Sequence, residues 1–162
     1  LSGIPGSGRN SIAKGLEKKL FDEGYNVYLL SGANLRLGLS SDLDYSEKSR
    51  HEQARRIAEI ARLLIDAGML LIVSSVSPYI KDRELAEKSL GEENFIEVFV
   101  DCDIEVSRKR NPHGLIENST KISGFDAPYE KSENPDVYID TTSVTLKESI
   151  SEAYGKVKKF LK

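Results

Sequence analysis

An α/β fold, a central parallel sheet held between two helical layers, is what this sequence predicts, and three observations carry that prediction. Helical and strand-like patterns alternate along the chain, which is the order a parallel sheet with crossover helices requires. The run Met69-Leu70-Leu71-Ile72-Val73 is apolar at every position, as expected of a strand covered on both faces. A glycine-rich turn, Gly3-Ile4-Pro5-Gly6-Ser7-Gly8, opens directly into a helical pattern near the start of the chain.

Each element follows from its own spacing. Ile12, Ala13, Leu16 and Leu20 recur at helical intervals and stop at Gly24. Asn26 to Leu30 reads as a short strand ending at Ser31-Gly32. From Ser46 to Ala67, Ala54, Ile57, Ala58, Ala61, Leu64 and Ile65 form one apolar stripe, with charge crowding the first half of the helix. Residues 79–90 read as helix and Phe95 to Val100 as strand. Asp103 to Arg110 is a short helix, acidic at its start and basic at its end, as the helix dipole favours. Residues 111–135 carry Pro112, Gly114, Gly124, Pro128 and Pro135 among polar residues and read as a long loop or lid. Val137 to Asp140 and a helix over about 145–161 complete the pattern.

At 162 residues, with 39% hydrophobic and 30% charged side chains, residues 1–162 suit one compact domain. Because Leu1-Ser2 could be only the end of the strand that such a glycine turn follows, the domain is expected to belong to a longer polypeptide. A net charge of −3 gives no basic footprint for nucleic acid, so a phosphate site must be local. The single cysteine, Cys102, pairs with nothing and reads as a small residue at a buried strand end; no metal-ligand spacing occurs. No apolar run is long enough to span a membrane, and a cytoplasmic location is expected.

The glycine turn has the spacing of a P-loop, in which backbone N–H groups and a helix N-terminus face an anion. The rule G-x-x-x-x-G-K-[ST] asks for Lys and then Ser or Thr after the last glycine. Here Arg9 and Asn10 stand in those places, with Ser11 a hydroxyl one residue late. Gly3, Gly6, Ser7, Gly8, Arg9, Asn10 and Ser11 are the candidate phosphate-binding residues. Arg9 keeps the charge on a larger, planar group, and the Asn10 amide oxygen is a poorer magnesium ligand than a hydroxyl.

Six further motifs, in order, carry a resemblance. They are Ser31-Gly32-Ala33-Asn34-Leu35-Arg36-Leu37-Gly38-Leu39; Leu43-Asp44-Tyr45-Ser46 with Arg50, Glu52, Arg55 and Arg56; Ser74-Ser75-Val76-Ser77-Pro78-Tyr79 with Asp82-Arg83; Phe95 to Asp101; Asn111 to Leu115; and Ala127-Pro128-Tyr129-Glu130. Together they resemble the adenylylsulfate (APS) kinase family over nearly the whole chain. The resemblance implies a P-loop three-layer sandwich and transfer of the γ-phosphoryl of Mg-ATP to the 3′-hydroxyl of APS, giving PAPS. It also implies a homodimer or an attached ATP sulfurylase domain as partners.

The family has D-G-D-N-x-R where this chain has Ser31 and Ala33 in the acidic places. With Arg9 and Asn10, that changes four positions handling metal, γ-phosphate or proton. By the resemblance, Asn34, Arg36, Tyr45, Arg50, Gln53 and Ser77 hold the APS nucleotide, with Phe125 as a second face for the adenine stack. The segment 115–128 is shorter than the family lid. Taken alone, Arg50, Arg55 and Arg56 also fit a solvated helix face, and Tyr45 and Phe125 fit rim or core aromatics. His51 and His113 show no partner spacing and read as surface residues. The expectation is a domain that binds APS or PAPS with impaired catalysis, in a regulatory or structural role; the alternative is an active kinase using Mg²⁺-ATP, with Asp42 or Asp44 supplying the missing carboxylate.

Overall fold

The computed structural model describes residues 1–110 and 121–161. Its elements are α1 (Arg9–Asp22), β1 (Val27–Ser31), α2 (Gly32–Leu35), α3 (Glu47–Asp66), β2 (Leu70–Ser74), α4 (Ile80–Leu90), β3 (Val98–Asp101), α5 (Ile104–Arg110), β4 (Val137–Asp140) and α6 (Leu146–Val157). A single 3₁₀ turn, Glu92–Asn94, precedes β3.

Among the described residues all strand pairing is parallel. β1 pairs with β2 from Val27↔Leu70 to Ser31↔Ser74, and β3 pairs with β4 from Val98↔Val137 to Asp101↔Asp140. The start of the chain joins the two pairs. The Leu1 nitrogen donates to Val73 O at 2.6 Å, while Ser2 N donates to Val98 O and Val100 N to Ser2 O, both at 2.9 Å. All four strands therefore run the same way, and their C-terminal ends gather around the glycine turn, where α/β sheets bind ligands.

The predicted stripes are the ones that bury. Ile12, Ala13, Leu16 and Leu20 of α1 pack with Ile72, Val98, Val100, Val137 and Ile139 of the strands and with Ala153 and Val157 of α6. Ile57, Ala58 and Ala61 bury the core face of α3. Helix ends are set by side chains: Ser46 caps α3, and Thr145 with Glu148 closes a reciprocal capping box on α6. Asp103 caps α5 by accepting from Glu105 N at 2.9 Å and Val106 N at 3.1 Å.

Three readings of the sequence change. The strand expected from Phe95 starts only at Val98, because Phe95 N closes the 3₁₀ turn on Glu92 O and Glu97 N is taken by the Asp136 carboxylate. The four-residue α2 was not foreseen. The lid expected over 111–135 lies partly outside the described residues, with His113; residues 121–135 fold back on α4, where Glu130 accepts from Ile80 N at 2.7 Å. Among the described residues no helix is long and apolar enough to cross a membrane.

Candidate active site

The glycine turn delivers its backbone to the first turn of α1. Gly8 is the N-cap, at φ 88°, a left-handed conformation that glycine adopts without strain. Gly6 is at φ 83°, and a Cβ there would stand 2.5 Å from Ser107 Oγ and 2.7 Å from Ser107 O. The loop thus lies flat against α5 only as glycine. The N–H groups of the first turn have no helical acceptor, so they and the α1 dipole favour an anion. A pocket of about 210 Å³ opens here, lined by Ile4, Gly6, Ser7, Gly8, Arg9, Asn10, Ser11 and Arg110.

The two altered side chains turn toward the protein. Arg9 is only 9% exposed; its Nη1 donates to Gly3 O and its Nε to Ser74 Oγ at 3.3 Å. Burial lowers its pKa to about 10, which leaves it protonated at neutral pH. The Ser74 hydroxyl donates to Asn10 Oδ1 at 2.5 Å, so the amide oxygen has a protein partner too. Ser31 Oγ caps α2 by accepting from Asn34 N at 3.4 Å, and Ala33 is exposed with nothing to offer a hydroxyl. The carboxylates named as substitutes are engaged elsewhere. Asp42 accepts from Arg56 Nη1 and Nη2 at 2.6 and 2.8 Å, and Asp44 accepts from Ser46 N and Oγ at 3.0 and 2.6 Å. Those hydrogen bonds hold both acids below the usual carboxylate range. This donor set does not fit a protein-held Mg²⁺.

The other side of the site is arranged differently. The Arg36 guanidinium lies 4.5 Å from the Tyr45 ring centre and the Arg50 guanidinium 5.6 Å from the same ring. Arg36 donates to Leu43 O at 3.1 Å and Asp44 O at 2.8 Å; Arg50 donates to Tyr45 O at 3.1 Å and Lys121 O at 2.5 Å. Their acceptors are neutral carbonyls. Burial and the neighbouring Arg36 charge lower the Arg50 pKa, as befits two cations with no paired carboxylate among the described residues. Gln53 donates to Gly32 O at 3.1 Å and leaves its buried Oε1 without a partner among the described residues. Ser77 sits at φ 45° just before Pro78, a conformation held by Arg83 Nη1 donating to Ser77 O at 2.7 Å.

The structure separates residues that the sequence ran together. Arg55 and Arg56 are paired, with Glu52 and with Glu52 plus Asp42, whereas Arg50 has no carboxylate partner among the described residues. Phe125 lies against Arg108, with 5.5 Å between guanidinium and ring. His51 is not a plain surface residue: its Nδ1 is 2.8 Å from both Asp82 carboxylate oxygens and its ring 4.8 Å from that of Tyr79. Sequence reasoning also passed over Arg110. It ends α5 at the rim of the glycine pocket, and the basic run Arg108-Lys109-Arg110 was read only for its dipole.

Parallel strands converging on a glycine turn and helix N-terminus, with two guanidinium groups and an aromatic ring alongside, define a P-loop phosphotransferase-type protein. The adenylylsulphate kinase family model matches residues 1–140, and the chain belongs to that family. It is 45% identical over 145 residues to an adenylyl-sulfate kinase of Clostridium acetobutylicum, covering 86% of this chain and 72% of that one. The structure of the Mycobacterium tuberculosis APS kinase CysC in complex with AMPPNP and APS superposes with a TM-score of 0.90 at 35% identity, covering 97% of this chain and 94% of that one. The bifunctional enzyme NodQ of Rhizobium sp. is 40% identical over 154 residues, which are 92% of this chain and 24% of NodQ.

Proposed function

We propose that this chain is an APS-binding domain of sulfate activation in which phosphoryl transfer from ATP to the 3′-hydroxyl of APS is slower by orders of magnitude than an intact site allows. The observation that carries this reading is the contrast between Arg9, withdrawn under its loop, and the Arg36–Tyr45–Arg50 frame, which presents beside an aromatic face two cations with no paired carboxylate among the described residues. A nucleotide with a 5′-phosphosulfate matches that frame, its base stacking on Tyr45 and its anion meeting the guanidinium groups. On the donor side, phosphoryl transfer depends on positioning and charge stabilisation. The groups for both are turned away. General acid–base assistance alone is worth roughly 10²–10⁴-fold, and Ser31 and Ala33 supply none.

A competent kinase is the second reading, and kinship supports it better than impairment: the curated relatives are named adenylyl-sulfate kinases at up to 45% identity. It requires Arg9 to leave Gly3 O and Ser74 and reach the phosphates. In either reading any Mg²⁺ arrives with the nucleotide. The NodQ match is in keeping with a domain that works attached to others, such as an ATP sulfurylase, and a homodimer is a further assembly open to it.

Calorimetric titration with APS, PAPS and Mg-ATP, followed by a PAPS-formation assay on the same sample, tests the proposal. Binding of APS or PAPS without measurable turnover is the expected result. Turnover at the rate of an intact kinase would establish the second reading instead.

A further inference from the structure

Asp82 is buried in the first turn of α4, 7% exposed, and among the described residues its carboxylate accepts from one side chain. That side chain is His51 of α3, whose Nδ1 is 2.8 Å from both carboxylate oxygens. A carboxylate only accepts, so Nδ1 carries the hydrogen. The ring also lies 4.8 Å from that of Tyr79, the N-cap of α4, and Glu47 Oε1 stands 3.3 Å from Nε2. Among the described residues no other side-chain hydrogen bond joins α3 to α4, and the contact of Lys81 with Glu47, at 3.8 Å, is exposed on both sides. The turn before α4 is tied from its other side as well. Arg83 Nη1 donates to Ser77 O at 2.7 Å and Nη2 to Glu130 O at 2.9 Å, while Glu130 accepts from Ile80 N at 2.7 Å and its own N–H donates to Pro78 O at 2.8 Å. Ser77 lies in this turn at φ 45°, and Arg50 precedes His51 on α3. His51 therefore joins the helix that carries Arg50 to the turn that carries Ser77.

We propose that His51 is a positioning residue for the nucleotide site: its bond to Asp82 sets the turn Ser77-Pro78-Tyr79 against α3, and with it the placement of Ser77 relative to the Arg50 guanidinium. The inference rests on the APS-binding reading above and adds to it a residue that acts without touching the nucleotide. A buried carboxylate that loses its side-chain donor costs more than the bond itself, because burial penalises a charge left without a partner. Without His51, Asp82 draws the first turn of α4 toward water. Ser77 moves with that turn through Arg83, the residue next to Asp82. Two groups that read one small molecule tolerate little such movement, so their placement depends on the side chains that support them.

Calorimetric titration with APS and amide hydrogen exchange of the ligand-free chain, each on wild type, His51→Leu, His51→Asn and Lys81→Gln, test this. His51→Leu is expected to weaken APS binding by about five- to tenfold. It should also speed exchange of the Asp82 and Arg83 amides, which bond to Tyr79 O at 3.2 and 3.4 Å, by about fivefold or more. His51→Asn, whose side-chain N–H stands near the place of Nδ1, should restore both to within about twofold. Lys81→Gln, which removes the exposed contact alone, should also stay within about twofold. If the single leucine variant does not fold, His51→Leu with Asp82→Leu leaves no buried carboxylate without a partner there and should show wild-type melting with the same loss of affinity. Wild-type APS affinity in either leucine variant overturns the proposal, as do unchanged amide exchange in His51→Leu and equal losses in His51→Leu and His51→Asn. A wild-type chain that ignores APS strikes the reading of the site instead. Exchange at 82 and 83 that rises in His51→Leu and returns in His51→Asn would still assign His51 as the tie between α3 and the turn.

Discussion

At two places in this molecule arginine meets the same problem, a cation in a partly dry setting, in opposite ways. Arg9 is drawn inward and satisfied by Gly3 O and Ser74 Oγ. Arg36 and Arg50 stay at the rim, held by the carbonyls of Leu43, Asp44, Tyr45 and Lys121, both beside the Tyr45 ring. Carbonyls orient a guanidinium without neutralising it, so the rim pair keeps its field for a ligand. The difference teaches that a retained charge is no guarantee of a retained role. What matters is which partner the charge has already found.

The largest effect that would break the comparison is rescue of transfer. Arg9→Lys with Asn10→Ser, or Ser31→Asp with Ala33→Asp, should each leave PAPS formation near background, because groups acting as a unit do not contribute independently. The four substitutions together should raise the rate by roughly 10²–10⁴-fold, measured as PAPS formed from Mg-ATP and APS. Rescue by the first pair alone would mean that the loop, not the missing acids, limits the reaction. Next in size, Arg50→Ala should weaken APS binding by about ten- to a hundredfold in a calorimetric titration. Arg55→Ala on the same helix, which removes a residue already paired with Glu52, should change it by less than about twofold. Equal losses would erase the distinction between paired and unpaired arginine.

Gly6→Ala puts a Cβ against Ser107 at a positive φ and should cost about 1–3 kcal/mol of stability. The check is a denaturant melt, with a midpoint unchanged from wild type as the contrary result. The smallest effect is ionic. Raising salt from about 0.05 to 0.5 M should weaken APS binding severalfold through the half-buried rim pair, while thermal stability, which rests on the apolar core, shifts little. A stability that fell in step with affinity would count against the rim arginines as the source.

Much of this was legible because it depends on local periodicity. The stripe of α1 and the apolar run of β2 mark their elements wherever they fold, and the glycine spacing marks the loop. The four-residue α2 has no room for a helical period, and its cap, Ser31, was noted only for the acid it replaces. Partners distant in sequence were out of reach. Arg56 differs from Arg50 through Asp42, and His51 differs from a surface histidine through Asp82, 31 residues further on. Phe125 meets Arg108 of α5 in the same way. The withdrawal of Arg9 depends on a hydroxyl at the end of β2, and nothing in the loop's own sequence announces it.

The rim pair has a consequence beyond affinity. Two like charges beside one ring repel, and on the proposed reading an anion that relieves them binds the folded chain and not the unfolded one. Stability then rises with the logarithm of ligand concentration once that exceeds the dissociation constant. Ligand supply and the persistence of the folded chain then become linked quantities: on that reading the protein lasts longer against unfolding and proteolysis when the nucleotide is abundant, without any bond being made or broken.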